Sequence, residues 1–590
     1  MIKKSGIPGG QWLIVYDPAR LTYRQVLLYL VRRQAQPPGR QQAATDDPIA
    51  FYLSPDLIEE PLATHDKKGI TLMPGNKGRE RIDKVLLYFP FLASDKRWRT
   101  ITLPAASLFL GSALQNHGFS VEVERLMLPA PAIDRDLSTY NMIGFTLLED
   151  TFLEFQALFS RWCREKDFTG LWAAGGPLVT LNPLQSAYHL PGLNLLVRGE
   201  AEAILPGILD CLANNDLAGL RQFKGWLFQR PGLLVMSRFD EINQPKDFST
   251  FSFNLDFTVA GHLENGLEIN LSRGCRQGCL FCSKIQGRSL RNLPVETFAG
   301  LLAGFTAKLS RSSADDPAEN HARTLNINDD DILQDVNYAA AVFNLVKKNG
   351  FALWGIQTSP RSLFDGQERI LQAAFDRLSD RELFVNRRPL VWLGTDTFLK
   401  ERARRLGKWV PGIDALRELL ARCEEAGVSH YHYWIASDQQ STWEEFFAEF
   451  FLTYRLHQEF AHFSLLPHSP FLVPYSSTPL FSRMTGSVQW RHQVRYKKIV
   501  TAEADEFVLP LVERVQTPFP FLNRLLLNER LPGGHDLGFF DALRPGDYRQ
   551  ALIILYSFLK QERLAGGNTA PIHRLLDTER KLELILSDMT

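Results

Sequence analysis

The chain has no surplus of charge of either sign: 66 Lys and Arg balance 66 Asp and Glu over 590 residues. A balanced chain has no overall basic field, which argues against nucleic acid or an anionic membrane as a partner. Long apolar runs are also missing. Residues 85–93 (VLLYFPFLA) fall far short of the roughly 20 residues that a bilayer-spanning helix needs. Met1–Gly10 carries two positive charges, but Pro8, Gly9 and Gly10 break the apolar stretch that should follow, so no signal peptide is expected. Cysteine is scarce, with six in the whole chain. Cys163, Cys211 and Cys423 stand far apart and read as ordinary buried thiols. With 45% apolar and 22% charged residues, the composition is that of a reduced, cytoplasmic, water-soluble globular protein.

The other three cysteines stand together. In Leu271–Lys284 (LSRGCRQGCLFCSK), Cys275, Cys279 and Cys282 follow a C-x3-C-x2-C spacing. Gly274 and Gly278 loosen this loop, so the three sulfurs can turn toward one centre. Thiolates suit zinc or iron–sulfur, and a missing fourth thiolate leaves one metal position open for a ligand. A structural zinc site, a redox-sensing cluster and chance proximity are the bland alternatives. Zinc would want a fourth ligand. No C-x2-C or H-x3-H partner lies nearby, which leaves a remote residue such as His321. Residues 266–272 (GLEINLS) read as a strand entering the loop, and Pro294–Leu302 opens a helix with Pro and Glu in its first turn.

Length alone implies several structural units. Residues 1–80 form an accessory segment with a strand at Trp12–Tyr16 and a helix at Tyr23–Arg32. Between 81 and 215, short apolar strands alternate with helical patterns, as βαβ units on a doubly wound parallel sheet do. The strands are Lys84–Pro90, Phe119–Glu124, Met142–Thr146 and Leu171–Gly175, with a helix over Ala105–Gly118. Ligands of such sheets bind beyond the strand carboxyl ends, where Pro104, Thr146 and the turn Gly175–Pro183 (GGPLVTLNP) are expected. Glycine there either admits a ligand close to the backbone or simply makes a tight turn. Residues 216–255 read as a linker, with Pro231, Gly232 and Pro245.

From 256 to 480 the βα rhythm resumes, with strands at Arg323–Asn328, Phe351–Gln357, Leu390–Gly394, Val428–Ile435 and His462–Pro467 after the one entering the cysteine loop. Six such units make an open partial (β/α)6 barrel with chemistry at the strand C-termini. Ser441–Glu444 (STWE) reads as the capping box of the helix after the fifth strand. The run Asp329–Asp331 sits at a strand end and reads as a solvated turn or as acceptors for a cation in a shielded pocket. His430 and His432 share one strand face, as a structural pair or as lining of the site. Residues 481–590 start basic, with Arg491, Arg495, Lys497 and Lys498 as a solvated face, and become helical at Tyr548–Gln561 and Ile572–Leu586.

A strand followed by C-x3-C-x2-C, with Phe281 just before the last cysteine, resembles the radical S-adenosylmethionine (radical SAM) superfamily. That resemblance implies a 4Fe-4S cluster on Cys275, Cys279 and Cys282, whose fourth iron chelates the amino and carboxylate groups of S-adenosylmethionine. The S-adenosylmethionine site would then include Phe281, Asp329, Asp330, Gly394 and Thr395, and Lys408 matches a recurrent position downstream. Residues 81–215 resemble the Rossmann-like cobalamin-binding domain that precedes the catalytic domain in one large class of these enzymes. The pieces that match are Leu103–Ser107 (LPAAS), Gly175–Pro177 with Thr180, and Arg198–Glu202 (RGEAE). A cobalamin site at Pro104, Thr146, Gly175, Gly176 and Thr180 is what the resemblance implies.

Three departures limit the transfer. The D-x-H-x-x-G cobalt-ligating motif is missing, and Phe91–Thr102 holds no histidine. Ser477 stands where a closing loop usually has glycine, and Ala436–Thr442 (ASDQQST) replaces the usual G-x-P-G-E-T. The implied activity is reductive cleavage of S-adenosylmethionine to a 5′-deoxyadenosyl radical, followed by cobalamin-dependent methylation of an unactivated carbon. The substrate would be a small molecule or peptide, and the electron donor a flavodoxin or ferredoxin. A radical SAM enzyme with an empty Rossmann-like domain and a non-enzymatic metal-binding or redox-sensing protein are the alternatives.

Overall fold

The computed structural model describes residues 12–15, 24–27, 58–61, 82–92, 103–129, 135–165, 168–237, 242–245, 247–258, 266–283, 285–312, 323–473, 475, 478–486, 494–496, 512–515, 520–526, 539–543 and 548–564. The expected helix at Ile572–Leu586, His321, most of the first loop of the sheet domain, and Arg491, Lys497 and Lys498 lie outside them. The chain forms two compact units. One comprises Met1–Gly274, Lys284–Leu325 and Lys498–Leu509; the other comprises Cys275–Ser283, Asn326–Lys497 and Pro510–Thr590. No described helix is long and apolar enough to cross a membrane.

The first unit is built on a nine-stranded sheet. In chain order its strands are β1 (Trp12–Val15), β2 (Ile58–Pro61), β3 (Lys84–Leu92), β4 (Ser120–Leu128), β5 (Met142–Thr146), β6 (Leu171–Gly175), β7 (Leu195–Val197), β8 (Trp226–Arg230) and β9 (Leu233–Met236). Their order across the sheet is β2-β1-β9-β8-β7-β6-β5-β3-β4. The stretch β4-β3-β5-β6-β7 is parallel, and the rest is antiparallel. Composition explains the placement. β3 (KVLLYFPFL) is apolar almost throughout and buried on both faces, as a central parallel strand must be, whereas β4 alternates and exposes one face at the edge. Helix α1 (Ala105–Asn116) follows β3 and ends before Gly118, whose φ of 85° suits the left-handed position past a helix. On α2 (Phe152–Glu165), Phe152, Phe155, Phe159 and Trp162 recur at helical spacing and are buried; Phe155 and Phe159 from this face meet Phe145 and Trp172 edge-on.

Three expectations change here. Residues 226–236, placed in the linker, form the β8–β9 hairpin, because Pro231 and Gly232 make its turn and do not end the domain. β1 and β2, read as accessory, extend the same sheet through β1 pairing with β9. Cys163 is exposed, not buried, since it lies off the aromatic stripe of α2.

Two short strands, β11 (Ser272–Arg273) and β12 (Arg291–Asn292), follow β10 (Leu267–Ile269) and form a ribbon; α3 (Val295–Ser312) comes next. β13 (Thr324–Ile327) runs from the first unit into the second. In the second unit α4 (Val336–Lys348) leads to the third strand, which splits into β14 (Ala352–Leu353) and β15 (Ile356–Thr358). Gly355 lies at the break, where a Cβ would come within 2.3 Å of the Trp392 ring. β16 (Leu390–Asp396) pairs with β15, β17 (Ser429–Ser437) with β16 and β18 (Phe463–Phe471) with β17, all in parallel. No closed barrel forms among the described residues.

Helix α5 (Trp443–Glu459) follows β17. Its capping box is Thr442 with Glu445, one residue later than expected, because Ser441 turns back to accept from the Asp438 amide at 2.7 Å. Helices over Pro520–Leu526, Phe539–Leu543 and Tyr548–Leu564 bury apolar residues with Trp434, Phe446 and Phe450. The region after 480 also holds an antiparallel pair, Val494–Tyr496 with Val512–Val515, that a purely helical reading omitted.

Candidate functional site

The cysteine loop is pinned by the second unit's own backbone. The Leu280 amide donates to the Leu406 carbonyl at 2.9 Å, the Leu480 amide donates to the Leu280 carbonyl at 3.0 Å, and the Arg276 amide donates to Gln334 Oε1 at 2.8 Å. Gly407 has a φ of 66°, and a Cβ there would stand 2.8 Å from the Gly278 carbonyl oxygen, so the 406–408 turn presses directly on the loop. Leu280 and Phe281 are half-buried against Leu406, Ile435, Leu472, Leu480 and Met484. Cys279 is buried, while Cys275 and Cys282 are partly so.

Lys408 extends this turn into the site. Its ammonium pairs with the Asp396 carboxylate, both nearly buried. Burial disfavours the charge on Lys408, but Asp396 and the nearby Cys279 and Cys282 outweigh it and raise its pKa. Asp396 itself holds a left-handed φ of 59° at the end of β16, a conformation that a non-glycine residue adopts at a cost. Burial, with Asp330, Asp331 and Cys279 nearby, pushes the Cys275 thiol up to about 12, against a lowering hydrogen bond from the Gln277 backbone.

The acidic run after β13 is not a solvated turn throughout: Asp329 and Asp331 are buried, and only Asp330 is exposed. Asp331 accepts from the hydroxyls of Thr358 at 2.6 Å and Ser362 at 2.8 Å. Burial still lifts its pKa to about 6. Gly394 lies beside Lys408, since a Cβ there would be 3.6 Å from Nζ. Thr395 shares its hydroxyl with His432 Nδ1 at 2.8 Å, and His432 Nε2 meets His430 Nδ1 at 3.1 Å. That chain is buried, so the histidines form a core network behind the strand end.

The structure therefore groups Cys275 with the acidic run, and Cys279 and Cys282 with Lys408. Among the described residues, however, no three His, Cys, Asp or Glu side chains are gathered closely enough to hold a metal ion, the three thiols included. Fit to a cluster rests on chemistry: three thiols on one loop, two of them beside the buried Lys408 ammonium, suit an anionic thiolate-ligated cluster. Sequence reasoning placed Asp331 in the acidic run but missed its partners Thr358 and Ser362, and the role of Asp396 as partner of Lys408. An acidic residue at a strand carboxyl end was the available signal for both.

In the first unit the other candidate residues sit at the strand ends. Thr146 and Gly175 are register partners at the ends of β5 and β6. Pro104 caps α1 and its carbonyl accepts from the Ser107 and Leu108 amides. Gly176 opens the helix Pro177–Leu181 at a φ of 90°, with a Cβ position 2.9 Å from the Leu147 nitrogen, so the chain's own backbone already demands glycine. Thr180 is buried, its hydroxyl accepting from the Gly199 amide at 2.9 Å and its carbonyl from Arg198 Nε at 2.8 Å. It ties the turn after β6 to the Arg198–Gly199 turn after β7. Counting the parallel strands in chain order, the sheet runs 2-1-3-4-5, and such sheets bind ligands at the reversal between the first and third, here β3 and β5.

The sequence matches no protein-family model and no curated protein. Solved structures do match. OxsB, a cobalamin-dependent S-adenosylmethionine radical enzyme with aqua-cobalamin and S-adenosylmethionine bound, is similar at a TM-score of 0.59 and 12% identity, over 86% of this chain and 75% of that one. TsrM from Kitasatospora setae, a radical S-adenosylmethionine methyltransferase with cobalamin and a 4Fe-4S cluster bound, is similar at a TM-score of 0.52 and 15% identity, over 80% and 88%. The same enzyme with tryptophan substrate and the analogue aza-SAM gives 0.52 and 16%. The chain thus has the fold of the cobalamin-dependent radical SAM enzymes: a Rossmann-like unit with a doubly wound parallel core, and a unit of parallel βα repeats.

Proposed function

We propose that the protein is a radical SAM enzyme that also uses cobalamin and methylates an unactivated carbon of a small molecule or peptide. The observation that carries this reading is the C-x3-C-x2-C loop set against a buried lysine at strand carboxyl ends, within this fold. Bound at Cys275, Cys279 and Cys282, a 4Fe-4S cluster would supply the electron for reductive cleavage of S-adenosylmethionine, and cobalamin in the Rossmann-like unit would supply methyl-transfer chemistry.

The chain's own residues give the reaction its setting. Cys275, Cys279 and Cys282 are the proposed ligands; ligation requires the loop to draw their sulfurs together and deprotonate them. Lys408, kept charged by Asp396, offsets the negative charge that three thiolates bring into a buried place. Asp329 and Asp330 are proposed to accept from the ammonium of S-adenosylmethionine. Phe281 supplies apolar surface, and Gly394 leaves space beside Lys408. Because the Thr395 hydroxyl is committed to His432, that residue serves through its backbone. In the other unit, Pro104, Thr146, Gly175 and Gly176 are proposed to line the corrin crevice, with Thr180 behind them. A flavodoxin or ferredoxin is the proposed electron donor.

The test is cofactor uptake. The cluster is reconstituted without oxygen, the protein is incubated with hydroxocobalamin and desalted, and iron, sulfide and corrinoid per chain are measured. Near-stoichiometric retention of both is expected. A loaded cluster with no corrinoid would remove cobalamin from the reading, and a colourless protein with one tight zinc would remove the cluster.

A further inference from the structure

The ribbon at the base of the cysteine loop has an unusual pairing. β11 and β12 are two residues each, and Arg273 stands directly opposite Arg291. Like charges facing each other across a ribbon repel. Both guanidiniums are buried, at 6% and 8% exposure, so water cannot screen them. One carboxylate resolves the conflict. Glu200 accepts from Arg273 Nη1 at 2.7 Å on Oε2, and from Arg291 at 2.9 Å on Oε2 and 2.6 Å on Oε1. Glu202 adds a second acceptor to Arg273, so two cations meet two anions. The ring of Phe109 lies 4.2 Å below the Arg273 guanidinium, and Phe248 faces both arginines.

This cluster closes the neck of residues 274–290. Gly274, at a φ of 94°, comes so near Ser289 that a Cβ would lie 2.2 Å from its carbonyl oxygen. Arg291 also donates to the Gln286 carbonyl at 2.7 Å and to the Pro245 carbonyl at 2.9 Å. Glu200 and Glu202 come from the RGEAE turn after β7, at the carboxyl end of the parallel sheet, far from the loop in sequence.

We propose that Glu200, assisted by Glu202, is a positioning residue for the iron–sulfur loop: it clamps Arg273 to Arg291 and so fixes the neck from which Cys275, two residues beyond Arg273, departs. The inference rests on the reading of Cys275, Cys279 and Cys282 as cluster ligands. Without Glu200, Arg291 keeps only carbonyl acceptors and faces Arg273 with no carboxylate between them, Glu202 alone remaining on Arg273, and the neck opens. The loop then no longer draws its three thiols together, while the sheet keeps its core.

The test compares wild type, Glu200→Gln, Glu200→Asp and Glu202→Gln after anaerobic reconstitution, following iron release to a ferrous chelator and thermal melting. Asp216→Ala is the control. It removes the N-cap bond to the Gly219 amide and loosens the same unit away from the neck. Iron is expected to leave Glu200→Gln about tenfold faster than wild type, because a broken buried ion pair leaves uncompensated charge. Glu200→Asp should recover part of the retention, and Glu202→Gln, which keeps Glu200 in place, should show a smaller loss if Glu200→Gln does not fold. Wild-type release from Glu200→Gln and Glu202→Gln, or equal release from Asp216→Ala, would overturn the inference while leaving the cluster reading intact. A wild type that holds no iron would defeat both.

Discussion

Lys408 is the residue through which the candidate site is held together. Its ammonium is buried yet charged, because Asp396 and two of the three thiols stand close. Lys408→Met would leave Asp396 without its cation, and a destabilisation of about 3 kcal/mol is expected in chemical denaturation. Cys279→Ser should leave the fold intact and abolish retained iron, read from visible absorbance after reconstitution. His430 makes a separate prediction. Burial, with His462 adding to it against Glu424, depresses its pKa from 6.5 to about 4. The folded chain therefore binds fewer protons at this site than the unfolded chain between those values, so its contribution is full above pH 6.5 and is lost as pH falls toward 4. Asp331, raised from 3.8 to about 6, acts oppositely, its contribution fading as pH rises through that range. The comparison that isolates His430 is wild type against His430→Gln. Their stability difference should move by about 3 kcal/mol in disfavour of wild type between pH 6.5 and 4. A pH-independent difference would contradict the buried, neutral assignment.

Helix ends and strand breaks are the elements where local chemistry decides. Thr442 accepts from the Glu445 amide and Glu445 from the Thr442 amide, so Thr442→Ala should cost about 1 kcal/mol, seen as a lower denaturation midpoint. Gly176→Ala forces a Cβ against the Leu147 backbone at a φ of 90°, and a loss of about 2 kcal/mol is expected from the same measurement. Most elements were legible in the sequence because their signals are local. β3 is a continuous apolar run, α4 ends before Gly350, and β16 is Leu-Val-Trp-Leu followed by glycine. The β8–β9 hairpin was missed although Pro231-Gly232 marks its turn, because the same dipeptide punctuates linkers. The one-residue shift of the capping box turned on which of two adjacent hydroxyls faces the helix, which spacing does not reveal.

At the scale of the whole molecule, the two kinds of unit could be read from alternating patterns, but the partners of distant strands could not. β1 joins β9 across more than two hundred residues, and nothing local in Trp12–Val15 says so. The site divides in the same way. Its thiols are adjacent in sequence and were found at once, whereas Lys408, Asp396, Asp331 and Thr358 converge only through folding. This convergence is proposed to serve radical cleavage of S-adenosylmethionine. The direct test is to reduce the reconstituted chain anaerobically with S-adenosylmethionine and measure 5′-deoxyadenosine and methionine by chromatography. Both products are expected from wild type and neither from Cys279→Ser. A wild-type chain that holds its cluster and yields no 5′-deoxyadenosine, or a Cys279→Ser chain that still yields it, would contradict the account.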